Sequence, residues 1–277
     1  MTLTAITRKV SPAIADCELT HLERVPIDYA AASQQHMAYE RLLGDLGCDV
    51  VSLAAEEDLP DSVFVEDAAI VLDEIAVIMR PGAESRRPER SSIADALRPY
   101  RNLAFISEPA TIDGGDVLLL GKRLWVGLTT RTSQDGVDQL RSLLTPHSYS
   151  VQCLDLLTKN RGTEAASSPH CLHLKTAVTA VGPASVLLDP RWIDPAVFAD
   201  YDVIEVDPSE PFASNALLVN ETVVLSTAFP LTRRRLEEAG FDVVTIDATE
   251  LAKAEGGLTC CSLIFREAVE GGRIPSR

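Results

Sequence analysis

The chain has 277 residues, 46% of them hydrophobic, enough apolar material for one large domain or two smaller ones. Its 25 Lys+Arg against 41 Asp+Glu leave a net charge of −16, which argues against nucleic acid and anionic membrane as partners and suits a cationic small molecule. No run approaches the ~20 apolar residues of a membrane span, and Arg8 and Lys9 are followed by no apolar signal core, so a cytoplasmic location is expected.

Residues 2–7 read as a short strand, and a loop follows through Pro12, Cys17, Leu19 and His21. Apolar positions Ala30, Met37, Leu42, Leu43 and Leu46 predict a helix over 29–46 that Gly47 stops, with a strand over 48–53. Strands are predicted at 63–65, 68–72 and 75–79, then a Pro81-Gly82 turn, a helix over 91–100 and a strand over 103–106. A hairpin over 117–120 and 124–126 precedes a helix over 133–144 and a strand over 148–154. Strands follow at 174–181 and 185–188, then a short helix over 194–199 and a strand over 203–206. The last repeat has a hairpin over 216–219 and 223–225, a helix over 231–239 capped by Gly240, and a strand over 243–246; the apolar run 263–265 closes the chain.

One supersecondary unit therefore recurs about five times at a period near 50 residues, the mark of a solenoid, propeller or array. Each unit has too little core to stand alone. Closing five into a ring buries the inner strands at an axis, leaves helices outside, and lets the first and last units complete each other. No linker interrupts the pattern, so residues 1–277 are read as one domain. An open βαβ sheet is the alternative. No G-x-G-x-x-G follows the first strand and no Walker sequence occurs, so nucleotide binding has no support.

In a closed ring the polar residues at inner strand ends converge. Asp61, Glu66 and Asp67 place three carboxylates within seven residues of strand formers. They read either as a solvated turn or as a cradle for a guanidinium; for Glu66 and Asp67 to line one pocket the strand must end or bulge there. Asp113-Gly114-Gly115-Asp116 reads as a tight turn or as an acid that orients a base. His173 and Lys175 are expected on one strand face, His173 as a base for a thiol, with His170 a competitor in the loop. Arg80, Arg86 and Arg87 surround Pro81-Gly82, and Arg131 follows a strand; each is a surface cation or a carboxylate clamp. At the end of the chain Gly256-Gly257 precede Cys260-Cys261 and a buried-strand run, placing a thiol at a strand mouth behind a flexible turn. The six cysteines form no C-x-x-C pair and are too sparse for a disulfide framework. Cys171 and His173 could share a metal, but no second ligand pair lies nearby in sequence, so no metal is expected.

These residues carry a resemblance. Asp61-Ser62-Val63-Phe64-Val65-Glu66-Asp67, Arg80 through Arg87, Asp113-Gly114-Gly115-Asp116, Arg131-Thr132, His173-Leu174-Lys175-Thr176 and Gly257-Leu258-Thr259-Cys260 are similar, in order and spacing, to the dimethylarginine dimethylaminohydrolases of the pentein superfamily. The resemblance covers almost the whole chain. It implies a five-bladed α/β propeller of ββαβ-type modules with its site at the axis. It also implies hydrolysis of Nω-methylated arginines to citrulline and a methylamine through a covalent thiouronium on cysteine. Carried over, Cys260 is the nucleophile, His173 the general acid/base and Asp113 its supporting carboxylate. Glu66 and Asp67 hold the guanidinium. Asp61, with the backbone carbonyls of Leu19 and Ala254, holds the α-amino group, and Arg86 and Arg131 the α-carboxylate. Phe64 and Leu19 give apolar contact, Leu19 from a lid. Glu255 stands where the family has Asp. No cofactor is implied. The expected partner is a small methylated arginine, with a homodimer compatible and neither nucleic acid nor membrane involved. The alternatives are another guanidine hydrolase of the arginine deiminase kind, or a propeller that binds arginine-like ligands without turnover.

Overall fold

In the computed structural model, which describes residues 3–157 and 171–267, the first strand (β1, Leu3–Arg8) is buried at every position. A strand flanked on both sides must be. The chain then runs through α1 (Tyr29–Asp45) and β2 (Cys48–Leu53). The second unit is β3 (Ala69–Val71), β4 (Ala76–Ile78), α2 (Arg90–Leu97) and β5 (Leu103–Phe105). The third is β6 (Val117–Leu120), β7 (Arg123–Leu128), α3 (Gln134–Leu144) and β8 (Ser150–Asp155). The fourth has α4 (Leu174–Ala177), β9 (Val178–Gly182), β10 (Ser185–Leu188) and β11 (Asp202–Glu205). The fifth is β12 (Leu217–Val219), β13 (Thr222–Ser226), α5 (Pro230–Glu238) and β14 (Asp242–Ile246), after which α6 (Thr249–Ala252) leads to β15 (Leu263–Arg266).

Each unit forms its own three-stranded sheet, giving the five-bladed α/β architecture expected. Within every blade the central strand pairs antiparallel with one neighbour and parallel with the other, as β6-β7-β8 does. The parallel pairing requires a crossover, which the outer helix or 3₁₀ turn supplies. The first blade is β15-β1-β2: the end of the chain provides the strand that its beginning lacks, with Leu3 opposite Arg266 and Ile6 opposite Leu263. Blades meet through side chains rather than shared ladders. Ile6, Val65, Ile78, Leu97 and Phe265 pack between the first and second. Trp125 packs its ring 5.2 Å from Phe198 and 5.4 Å from Tyr201 between the third and fourth. β15 and β3, β6 and β9, and β9 and β12 are neighbours around an axial cavity of about 680 Å³.

Two strand expectations need correction. Residues 63–65 are not a strand: Phe64 N–H donates to Asp61 C=O at 2.9 Å, and a 3₁₀ turn runs Val65–Ala68 before β3 begins. The strand predicted over 174–181 begins only at Val178; Leu174–Ala177 is one helical turn, its Leu174 N–H accepted by the Asp116 carboxylate at 2.9 Å. Apolar β-branched composition hid both turns, because the groups that stabilise them come from distant segments. His170 lies outside the described residues.

Because β15 completes the first blade, a chain ending at Ser262 is expected to lose its cooperative urea transition; a soluble truncated protein with the full-length midpoint would show the closing strand to be dispensable.

Candidate active site

The thiol sits where the last turn meets the first blade. Beyond α6 the backbone turns through Glu255, whose φ is +56°, into a 3₁₀ turn at Thr259–Cys261 and then β15. Gly256 is required by close approach, since a Cβ there would lie 2.2 Å from the Phe64 ring. Tyr39 of α1 anchors the turn, donating to Leu258 C=O at 2.9 Å and lying 2.7 Å from Ser262 Oγ. Cys260 is 9% exposed and its Sγ receives the Gly257 N–H at 3.4 Å. Burial, with Glu66 and Asp67 nearby, pushes its thiol up to about 12.

The 3₁₀ turn at Val65–Ala68 aims two consecutive carboxylates inward, which an extended strand would not. They are held differently. Glu66 receives Lys175 Nζ at 2.5 Å and Thr259 Oγ1 at 2.7 Å, so it is tied to α4 and to the residue before Cys260. Asp67 receives Arg86 Nη1 at 2.5 Å and the Gly115 N–H at 3.0 Å. Burial alone would raise Asp67, but His173 and Arg86 outweigh it and hold the carboxyl at about 2. Gly114 allows this meeting of blades, because a Cβ there would fall 1.9 Å from Glu66 C=O.

His173 lies just before α4, with Nε2 3.0 Å from Asp113 Oδ2 and Nδ1 3.9 Å from Asp67 Oδ1. Asp113 is itself fixed by the Gly82 N–H at 2.8 Å. Burial would lower the imidazole, yet Asp67, Asp116 and Asp113 together raise it to about 9, so His173 is an imidazolium at neutral pH. Asp67, Asp113 and His173 bring ligand atoms within 4.8 Å of one another, and the charged ring satisfies both acids there.

Asp61, Phe64, Asp67, Arg86, Arg131, His173, Ala254 and Cys260 all line one pocket, so eight of the expected residues meet. Asp113 stands behind His173, and Glu66 faces a second recess of about 600 Å³ that also reaches Cys260 and His173. Leu19 does not line the first pocket; its side chain packs against the core around Phe64 and Cys260, and Glu18 forms the wall instead. Arg86 also differs from expectation. Its donors go to Asp67, to both oxygens of Glu89 at 3.0 and 2.9 Å, and to Phe64 C=O at 3.0 Å, which makes it a brace for Asp67. Arg131 is half-buried and donates to Thr20 Oγ1, in the segment expected to form a lid, at 2.8 Å. The lid also reaches Asp61, whose Oδ2 accepts the Glu18 N–H at 3.0 Å.

A family model described as arginine deiminase matches residues 55–210. The N(G),N(G)-dimethylarginine dimethylaminohydrolase of Streptomyces coelicolor is 36% identical over 265 residues, 95% of this chain and 97% of that protein. The Pseudomonas aeruginosa enzyme of the same name is 33% identical over 86% of this chain and 90% of its own length. The chain belongs to the dimethylarginine dimethylaminohydrolase family. A crystal structure of a cysteine-to-serine variant of the Pseudomonas aeruginosa protein, complexed with citrulline, superposes with a TM-score of 0.86 at 31% identity, covering 96% of this chain and all of that one. The N-terminal domain of a cyanobacterial arginine dihydrolase, 20% identical with a TM-score of 0.80, shares the fold.

Sequence reasoning assigned no role to Lys175, Thr259, Asp116 or Glu89. Asp116 accepts from Thr129, Thr132 and Leu174 N–H, and burial raises it to about 6. Asp116, Lys175 and Thr259 each lie within a motif already singled out, which was a usable signal; nothing local marks Glu89.

Two outcomes are expected. Iodoacetamide labelling of Cys260, read by peptide mass, should climb about tenfold per pH unit from 7 to 10 without a plateau, because a thiol at about 12 carries little thiolate over that range. A plateau near pH 8 would refute the raised thiol. Arg86→Met should lower urea stability by about 3–5 kcal/mol by stranding buried carboxylates, whereas Arg131→Met should change it by less than about 0.5 kcal/mol.

Proposed function

We propose that the protein hydrolyses Nω-methylated arginines to citrulline and dimethylamine or methylamine. The observation that carries this reading is a buried thiol beside an imidazolium, in a pocket whose anionic wall awaits a planar cation. At about 12, Cys260 is not a nucleophile in the free protein. A guanidinium seated against Asp67, with Glu66 on the other flank, offsets the carboxylates that hold the proton on sulfur. The proton leaves to solvent as the cation docks, and the thiolate adds to the guanidinium carbon.

His173, raised to about 9, carries the proton that the departing amine needs. It protonates the dimethylamino nitrogen, the C–N bond breaks, and a thiouronium remains on Cys260. Neutral His173 then takes a proton from water, the hydroxide adds to the same carbon, and the C–S bond breaks to release citrulline and the thiolate. Asp113 keeps Nε2 in register throughout. Asp61 supplies the anion for the α-ammonium, joined by the Ala254 carbonyl. Arg131 is the better-placed cation for the α-carboxylate, Arg86 acting on the same site by fixing Asp67. The recess of about 600 Å³ beside Cys260 leaves space for the N-methyl groups. The substrate is a small molecule; a homodimer and a cytoplasmic setting are compatible with this chemistry.

The test is citrulline release from asymmetric dimethylarginine, monomethylarginine and arginine. Methylated substrates should be turned over, Cys260→Ser should be inactive while folded, and Cys261→Ser should keep most activity, since Cys261 is buried with Sγ against Gly257 C=O. The rate should fall as pH rises through about 9, where His173 loses its proton. Turnover chiefly of unmethylated arginine would move the reading to an arginine deiminase activity at the same residues, and no citrulline from any substrate would overturn it.

A further inference from the structure

We propose that Glu255 is a positioning residue that latches the lid over the pocket and ties lid closure to the loop carrying Cys260. The lid, residues 17–28, is held to the body by side chains rather than by a sheet ladder. Most of these ties are single. Glu18 N–H reaches Asp61, Arg131 reaches Thr20 Oγ1, Lys253 reaches Pro26 C=O at 3.1 Å, and Asp28 N–H reaches Glu250 at 2.9 Å. Glu255 differs. Its carboxylate accepts three successive backbone N–H groups, from Thr20 at 2.9 Å, His21 at 2.6 Å and Leu22 at 2.6 Å. Charge-assisted bonds of this length are about twice as strong as neutral ones. All three break together if the carboxylate swings away, so one side chain carries three successive backbone ties at the centre of the lid, where Arg131 adds a single one at Thr20.

The conformation of Glu255 points the same way. A non-glycine residue at φ +56° is uncommon, and such a residue persists where its surroundings over-determine it. Here that backbone turns the side chain out of the nucleophile loop toward the lid. Two residues further on, the Gly257 N–H donates to Cys260 Sγ. The same short segment thus grips the lid at one end and the sulfur at the other, and Glu255 itself lines the pocket. Substrate enters only when the three bonds are broken, and closure restores them over the bound substrate.

The effect on turnover rests on the hydrolase reading above, but the latch has its own readout. Arg24 is exposed in the lid, so tryptic cleavage after it reports lid opening. Glu255→Ala is expected to speed that cleavage about tenfold, and Glu255→Gln, which keeps shape but loses the charge, about threefold. Citrulline release should lose about tenfold in kcat/KM with Glu255→Ala and a smaller factor with Glu255→Gln. Cleavage after Arg24 at the wild-type rate in Glu255→Ala overturns the latch, and does so all the more if turnover is lost. Faster cleavage in variants of a protein that releases no citrulline keeps the latch and removes the hydrolase reading. If Glu255→Ala does not fold, Glu255→Gln decides by the same cleavage rate.

Discussion

The site depends on keeping Asp67 ionised in a place where water barely reaches it. At 2% exposure a carboxylate would ordinarily take up a proton. Arg86 prevents this with a short ion pair, and Arg86 can be buried because Glu89 neutralises it from behind. His173 joins from the other side and gains its own charge from Asp67, Asp113 and Asp116. The chain Glu89–Arg86–Asp67–His173–Asp113 is therefore one electrostatic object. Removing a link leaves the others as uncompensated buried charges. Such a network contributes little net stability over an apolar core; what it secures is the protonation state of each member.

The propeller is the device that brings these members together. Asp67 and Arg86 come from the second blade, Asp113 and Asp116 from the third, His173 and Lys175 from the fourth, and Cys260 from the segment that closes the first. All but Arg86, which lies on a separate 3₁₀ segment (Glu84–Glu89), sit in or just before a short 3₁₀ or helical turn, at 65–68, 114–116, 174–177 and 259–261. Those turns redirect consecutive side chains to one side, which a period-two strand cannot do. Gly114 and Gly256 mark where two blades come too close for a Cβ. The architecture and the site are thus one arrangement of blade tips.

The repeat, the fold class and the pairing of first and last strands were legible because they are written in periodicity. Among the described residues fifteen strands follow the expected order, most with boundaries within two residues of those expected and one starting four residues late, at Val178. The two turns read as strands, at 63–65 and 174–177, were not legible, because Val, Phe and Leu there carry strand propensity while Arg86 braces the first turn through the Phe64 carbonyl and Asp116 holds the second through the Leu174 N–H. The site residues were legible as a set, through motif order. Their individual environments were not: Arg86 and Arg131 look alike in sequence, yet one is walled in by Glu89 and Asp67 and the other opens onto the lid. That distinction arises only from packing. Glu255, set apart in sequence only as a departure from the family pattern, is another residue whose part depends on what folds across from it.

Opposed charges at the axis also decide when the thiol becomes reactive. Burial, reinforced by two carboxylates, holds Cys260 near 12, so the free protein carries a dormant sulfur, poorly reactive toward electrophiles and oxidants alike. A neutral ligand of the same shape would leave that state unchanged. A guanidinium changes it by cancelling the field that holds the proton, and it does so at the atom to be attacked. Selectivity for a cation is then built into activation itself, rather than added by a separate recognition step. The overall charge of −16 draws cations toward the protein, and in the proposed mechanism the local pair, Glu66 and Asp67, makes docking and activation one event. Asp67 links the two groups: with Asp116 and Asp113 it keeps His173 charged, and with burial and Glu66 it keeps the proton on Cys260.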